Sequence, residues 1–231
     1  MKQLKLFFAA DRDIDLWPHF RKHYESLGVT DFFCSSDDTG LINNAHLTVV
    51  PCEFASAGHY FDSVQRSFFR LINNNIEPAE WYVIAELDEF QQYDRPIEEW
   101  IAKMEPQKYD VLFGDLLDRV AADGSLPPLL PNVPLHQQFP AHSDITRRIL
   151  RGCRDKVVLC KGKKSIGGGN HGINGGHRAY HERISVFHYK WHHNILKRMA
   201  ERIRLPDDGN GWVQGNLRVI EHWQEYGSVL V

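Results

Sequence analysis

Residues 4 to 10, LKLFFAA, form a nearly continuous apolar run, the pattern of a strand buried on both faces. A polar stretch, DRDID, follows. Leu16, Phe20, Tyr24 and Leu27 then recur at helical spacing. Asp15 stands as a cap, Pro18 in the first turn and Gly28 as the stop. VTDFFC predicts a second strand, SSDDTG the loop at its end, and LTVV a short third strand. Phe61, Val64, Phe68 and Leu71 mark a second helix, and WYVIAEL a fourth strand. PIEEWIAKM reads as a short helix opened by proline. YDVLFGDLLDRVAADGSL reads as a strand leading into a hairpin turned at Asp123-Gly124. Strand and helix alternate from residue 4 to 115. This predicts an α/β Rossmann-like sandwich with a mostly parallel central sheet.

The remainder is less regular. A proline-rich stretch runs from residue 127 to 140, and DKVVLCKGK and RISVFHYKW are strands. SIGGGNHGINGGH, with six glycines in thirteen residues, reads as a loop free to close over a ligand or as a long surface turn. HNILKRMAERIRL is a basic helix, and WVQGNLRVIEHWQEYG a closing helix weakened by Gly215. One domain, 1–231, is expected, with a ligand-binding half at 1–115 and a second half at 116–231.

Composition narrows the classes. Hydrophobic residues make up 42% and charged residues 25%, as in ordinary globular chains. A net charge of −3 gives no case for a nucleic-acid partner. No apolar run reaches the roughly 18 residues of a membrane-spanning helix. The opening, MKQLKLFFAADRD, is too short in its apolar part for a signal peptide. Cys34, Cys52, Cys153 and Cys160 show no paired spacing, which excludes a zinc ribbon and fits reduced thiols in a cytoplasmic protein.

The chemistry concentrates in ELDEF, where the fourth strand ends in Glu86, Asp88 and Glu89. Clustered carboxylates repel unless a positive charge lies among them. Positions i and i+2 of a strand share a face, which pairs Glu86 with Asp88. Ligands of open α/β sheets bind beyond the carboxyl ends of strands. Paired oxygen ligands there suit Mg²⁺ or Mn²⁺. The plain alternative is two surface acids at a strand boundary.

ELDEF resembles the D-x-D-E-F signature of GT-A glycosyltransferases of the family 2 group. The helix LWPHFRKHYESLGV and the later VFHYKW are also similar to segments of that family. The resemblance covers about residues 4 to 195, with Glu86 standing where the family usually has Asp. It implies transfer of a sugar from a UDP- or GDP-sugar to an acceptor hydroxyl, on a glycan or lipid-linked acceptor, in polysaccharide or glycan biosynthesis. Asp88 and Glu86 would hold the metal, with Glu86 also a contact for ribose. Ala9, Asp11, Arg12, Asp37 and Asp38 would line the nucleotide. His188 would be a further metal ligand, with His171 as runner-up, and Lys190 a diphosphate contact.

An inverting enzyme needs a base, for which Asp118 is preferred over Asp144 and Glu182; a retaining one does not. Arg147, Arg151 and Arg154, sharing a helical face, suit either an acidic acceptor or a solvated surface. The helix at 194–205 suits peripheral contact with a membrane or plain packing. Two other readings stand beside the main one. A nucleotidyltransferase would carry a Gly-rich basic loop after the first strand, which AADRDID lacks. A noncatalytic nucleotide-sugar-binding homologue would account for Glu86.

Overall fold

The computed structural model describes residues 3–10, 14–36, 46–51, 60–204 and 211–231. Asp11, Arg12, Asp37 and Asp38 lie outside them, as do the side chains of Phe61, Val64 and Phe68. In chain order the elements are β1 (Leu4–Ala10), α1 (Trp17–Ser26), β2 (Val29–Ser36), β3 (Leu47–Pro51) and α2 (Tyr60–Asn75). Then come β4 (Trp81–Glu86), β5 (Glu89–Gln92), α3 (Ile97–Met104), β6 (Val111–Val120), α4 (Leu135–Gln138) and β7 (Ala141–Ser143). The last are β8 (Asp155–Lys161), β9 (Ser165–Ile166), β10 (Ile173–Asn174), β11 (Ala179–His188), α5 (Ile195–Arg202) and α6 (Trp212–Tyr226). Two compact units emerge: residues 1–115 with 155–186, and residues 116–154 with 187–231. Residues 155–186, which the sequence groups with the second half, thus return to the first unit.

The fold is α/β and Rossmann-like. The strand order is β3-β2-β1-β4-β8-β6-β11-β5, with β7 added beside β6. The β1–β2, β1–β4 and β2–β3 pairings are parallel, and β8 runs antiparallel to both β4 and β6. The apolar run in β1 has the predicted cause. Phe7 and Phe8 point to opposite faces, and both are fully buried. Phe7 joins Tyr82 and Ile84 of β4 and Leu71, Ile72 and Ile76 at the end of α2. Phe8 stacks on Trp17 and Phe20 of α1. Burial of each such aromatic ring is worth on the order of 2–3 kcal/mol. Helix α1 ends where Gly28 adopts φ 90°, a conformation that favours glycine.

The chain enters β2 and β3 on one side of β1 and then crosses to place β4 on the other. In a doubly wound sheet that reversal of direction opens a crevice at the carboxyl ends of the two central strands. Here those strands are β1 and β4, and Ala9 pairs in register with Glu86.

The second unit packs Val120, Ile145, Trp191, Ile195, Met199, Val219 and Val229 into its own core. Three expectations change there. A turn does form at Asp123-Gly124, with the Gly124 amide bonded to the Ala121 carbonyl at 2.9 Å. However, β6 pairs with β7, Val120 opposite Ala141, and not with the chain that follows the turn. That chain is rich in proline, which lacks the N–H a ladder needs. The arginine row is also interrupted. Only Thr146–Leu150 is helical, and Arg151 turns left-handed at φ 60°, so Arg147, Arg151 and Arg154 do not share a continuous helix. Gly215, finally, does not break α6. A Cβ there would sit 2.7 Å from the Leu150 carbonyl oxygen, so the close approach of helix and turn requires glycine.

Candidate active site

Among the described residues, one group of three acids, cysteines or histidines converges closely enough to hold a metal: Glu86, Asp88 and Glu89. Their ligand atoms all lie within 4.8 Å of one another. The route to this geometry differs from simple strand alternation. Strand β4 stops at Glu86, and Leu87-Asp88 form the turn into β5. The Leu87 amide bonds to the Ala9 carbonyl at 3.0 Å, which ties the turn to the end of β1. Glu89 then folds back, and its Oε2 accepts from the Glu86 amide at 3.1 Å.

The positive charge that the acids require is already present. Lys156, on β8 and only 2% exposed, extends its ammonium between Glu86 and Glu89. It lies 3.0 Å from Glu86 Oε2, contacts Glu89 Oε1, and donates to the Gly169 carbonyl at 2.8 Å. Glu89 is fully buried. Burial raises its carboxyl to about 7, against the pull of Lys156 and with help from Glu86 and Asp88. Burial also works to raise Glu86, but the Lys156 ammonium, with His171 assisting, holds it below the ordinary carboxylate range. Lys156 itself is held above its ordinary value, because Glu86 and Glu89 outweigh the cost of burial.

The glycine-rich segment is built into this site. Strands β9 and β10 form a small hairpin closed by a tight turn at Gly168–Asn170. The Gly167 amide bonds to the Gly172 carbonyl at 2.8 Å. That turn delivers the Gly169 carbonyl to Lys156 and the Asn170 amide to Glu89 Oε2, at 3.1 Å. Asn170 is 2% exposed and left-handed at φ 43°. Its Oδ1 is buried and receives no hydrogen bond. His171 packs over Gly169, bonds through Nδ1 to the Asp155 carbonyl at 2.9 Å, and acts electrostatically on Glu86. Behind the cluster, the Tyr24 hydroxyl of α1 donates to the Glu89 carbonyl at 2.9 Å, and Gln91 Nε2 donates to the Ile84 carbonyl at 2.6 Å.

A divalent cation fits part of this arrangement. Glu89 spends both oxygens inside the cluster, on Lys156, the Glu86 amide and Asn170. Glu86 commits Oε2 to Lys156 and keeps a second oxygen, and half-buried Asp88 lies beside it. One or two carboxylates completed by phosphate oxygens are the usual protein share of a Mg²⁺ shell. Glu86 and Asp88 would therefore be the holders, and Glu89 a support.

The other expected site residues have their own places. Ala9, 6% exposed, lies beside Glu86 in register and contributes its carbonyl to the Leu87 turn. At the adjoining end of β2, Ser35 is fully buried and its hydroxyl has no hydrogen-bond partner. Asp118, His188 and Lys190 belong to the second unit. Asp118 is 4% exposed and does not stand open as an acceptor base should. Its Oδ1 accepts from Thr146 Oγ1 at 2.7 Å, Trp191 Nε1 at 2.7 Å and His188 Nδ1 at 2.8 Å, and its Oδ2 from the Thr146 amide at 2.8 Å. Burial works to raise its carboxyl, yet these donors hold it below the ordinary range. His188 is correspondingly a partner of Asp118 and is not in the convergent acid group. Lys190 lies beyond the end of β11, so strand alternation with His188 does not apply, and its ammonium sits 5.8 Å from the centre of the Trp191 ring.

Sequence reasoning missed Lys156 and Asn170. The signal for Lys156 was present: a lysine leading the apolar stretch of a buried strand, where an unpaired ammonium is hardly ever tolerated.

No family model matches the chain, and no curated protein matches it in sequence. Among solved structures, it is similar to 2-C-methyl-D-erythritol 4-phosphate cytidylyltransferase from Francisella tularensis, at 12% identity and a TM-score of 0.34. That match covers 57% of this chain and 64% of the cytidylyltransferase, so the chain spans less than two thirds of that enzyme's length.

Proposed function

We propose that this protein is a metal-dependent transferase acting on a nucleotide-diphosphate sugar, a glycosyltransferase of the GT-A type. The observation that carries the reading is the position of Glu86 and Asp88. They lie at the carboxyl end of β4, against Ala9, where the sheet changes direction. A nucleotide laid across that crevice would bring its diphosphate to the acids. A bound Mn²⁺ or Mg²⁺ would supply charge stabilisation for the departing diphosphate. In this reading Glu86 and Asp88 hold the cation, Ala9 and Ser35 floor the nucleoside site, and Glu89 orients Glu86. His171, which acts electrostatically on Glu86, takes the place expected of His188. The partners would be a UDP- or GDP-sugar and a glycan or lipid-linked hydroxyl.

Thermal shift with UDP- and GDP-sugars, with and without Mn²⁺, tests this directly, followed by assay of slow donor hydrolysis. Stabilisation by a nucleotide sugar only with Mn²⁺, together with hydrolysis, is the expected result. Stabilisation without hydrolysis would point to a noncatalytic binding protein. Stabilisation by CTP or UTP, and by no nucleotide sugar, would move the assignment to nucleotidyl transfer.

A further inference from the structure

We propose that Asn170 is a positioning residue for the acid turn: its side-chain amide fixes the Glu89 carboxylate, and through it the shape of the segment from Glu86 to Glu89. This rests on the metal-site reading above and deepens it, since that segment carries the two acids assigned to the cation.

The chain of contacts is short. Glu89 Oε2 accepts from the Glu86 amide at 3.1 Å, a bond that closes the turn over Leu87 and Asp88. The same oxygen accepts from Asn170 Nδ2 at 3.1 Å. Asn170 Nδ2 also donates to the Val157 carbonyl of β8 at 3.3 Å. A side-chain amide has two N–H donors, and both are used here. Both partners are acceptors, which fixes the orientation of the amide, because a reversed one would set Oδ1 against the same two oxygens. Asn170 and Glu89 are separated by 81 residues, so their bond is a tertiary one and no part of the hairpin's own folding. Asn170 therefore ties the acid turn to β8.

Two further features set the residue apart. Its backbone is left-handed at φ 43°, directly after Gly169 at φ 62°. Residues other than glycine seldom adopt this conformation, and asparagine tolerates it better than most. Gly167, Gly168, Gly169 and Gly172 lie close by in the chain, yet this position carries a side chain. Asn170 is also 2% exposed, and its Oδ1 is buried without a hydrogen bond. A left-handed backbone and an unmet buried acceptor are both unfavourable, and features of this kind gather at functional sites. What offsets them is the pair of bonds made by Nδ2, one of which goes straight to the acid turn.

The consequence is geometric. Groups that orient metal ligands from behind are worth about 10–100-fold in affinity. Without the amide, Glu89 keeps its bond to Glu86 but loses its anchor on β8. The turn that carries Asp88 then gains other conformations, and a cation must select among them.

The test uses the full chain and three measurements: melting temperature, Mn²⁺ affinity by calorimetry without nucleotide, and hydrogen exchange of the Glu86 amide by NMR. Asn170→Gly keeps the left-handed backbone and removes the side chain, and should melt within roughly 4 °C of the wild type. Asn170→Asp keeps the size, tolerates the same backbone and removes both donors. Each variant should bind Mn²⁺ at least about ten-fold more weakly. Each should also exchange the Glu86 amide several-fold faster, with the amides of α6 exchanging as in the wild type. A residue serving the fold alone would lower the melting temperature and leave the Mn²⁺ affinity of the folded protein unchanged. Wild-type Mn²⁺ affinity in either variant would overturn the proposal, as would failure of both variants to fold. The fate of the metal-site reading is separable. That reading fails if the wild type binds no Mn²⁺ with or without nucleotide, and the exchange of the Glu86 amide then decides the positioning role: faster in the variants supports it, unchanged overturns it.

Discussion

Two buried carboxylate networks, one in each unit, follow opposite rules. Around Asp118, four hydrogen bonds from Thr146, Trp191 and His188 meet a single carboxylate, and the demand for donors is met within the protein. Around Glu86 and Glu89, one ammonium meets two acids, and a buried acceptor on Asn170 receives no hydrogen bond. The first network is closed and acts as a clasp joining β6, the Thr146 turn and the chain after β11. The second lies where β4 turns into β5 and holds an acceptor without a donor. Both contain carboxylates beside basic groups, so residue type does not distinguish a clasp from a site. The balance of donors against acceptors does, because an unbalanced buried network persists only where something else completes it.

The largest effect expected from breaking this contrast lies in the clasp. Asp118→Asn should cost about 3–5 kcal/mol of stability, the range for removing one partner of a buried ionic network. Chemical denaturation would measure the loss. Nucleotide binding by whatever fraction remains folded should be unchanged. A variant of normal stability that had lost only turnover would instead restore Asp118 to the role of acceptor base.

Acid and base should act on the two networks with opposite signs. The folded Asp118 carboxyl is held below its ordinary value, so its stabilising contribution is complete above about pH 4 and is lost as the pH falls further. Glu89 is raised from 4.5 to about 7, so its contribution is complete below about 4.5 and is lost as the pH rises toward 7. Glu89→Gln should flatten the stability profile between pH 4.5 and 7 while leaving the acid limb intact. Melting temperatures of the two proteins across pH 3 to 8 would check both limbs (the acid one belongs to Asp118).

A smaller effect is expected behind the site. Tyr24→Phe removes the hydroxyl that donates to the Glu89 carbonyl, and should cost about 1 kcal/mol. Because that bond fixes the start of β5, the same variant should weaken Mn²⁺-dependent binding by a few-fold, measurable by calorimetry.

Much of this was legible in the sequence. The apolar run of β1, the periodic face of α1 and the acids after β4 each carry their cause in adjacent residues. The period of two in a strand, the period of 3.6 in a helix and the left-handed tolerance of Gly28 are local facts. What escaped depends on contacts distant along the chain. Lys156 lies 70 residues from Glu86, and its pairing appears only once β8 is laid antiparallel to β4. Likewise, Asp118 and His188 are separated by 70 residues. Each was read alone, as a base and as a metal ligand, whereas their chemistry lies in the bond between them. The glycine-rich segment misled for a third reason. Glycine permits a loose loop, but at Gly169 it permits the close packing of His171, and so locks a turn into the site.

The central claim is that Glu86 and Asp88 hold a cation which in turn holds a nucleotide diphosphate. Calorimetry of UDP and GDP binding, with and without Mn²⁺, to the wild type and to Asp88→Asn tests it most directly. Asp88→Asn should keep stability within about 0.5 kcal/mol, as for a partly exposed side chain. It should lose more Mn²⁺-dependent affinity than the roughly 10–100-fold that an outer-shell partner is worth. Undiminished Mn²⁺-dependent binding in Asp88→Asn, or nucleotide binding by the wild type that ignores Mn²⁺, would contradict it.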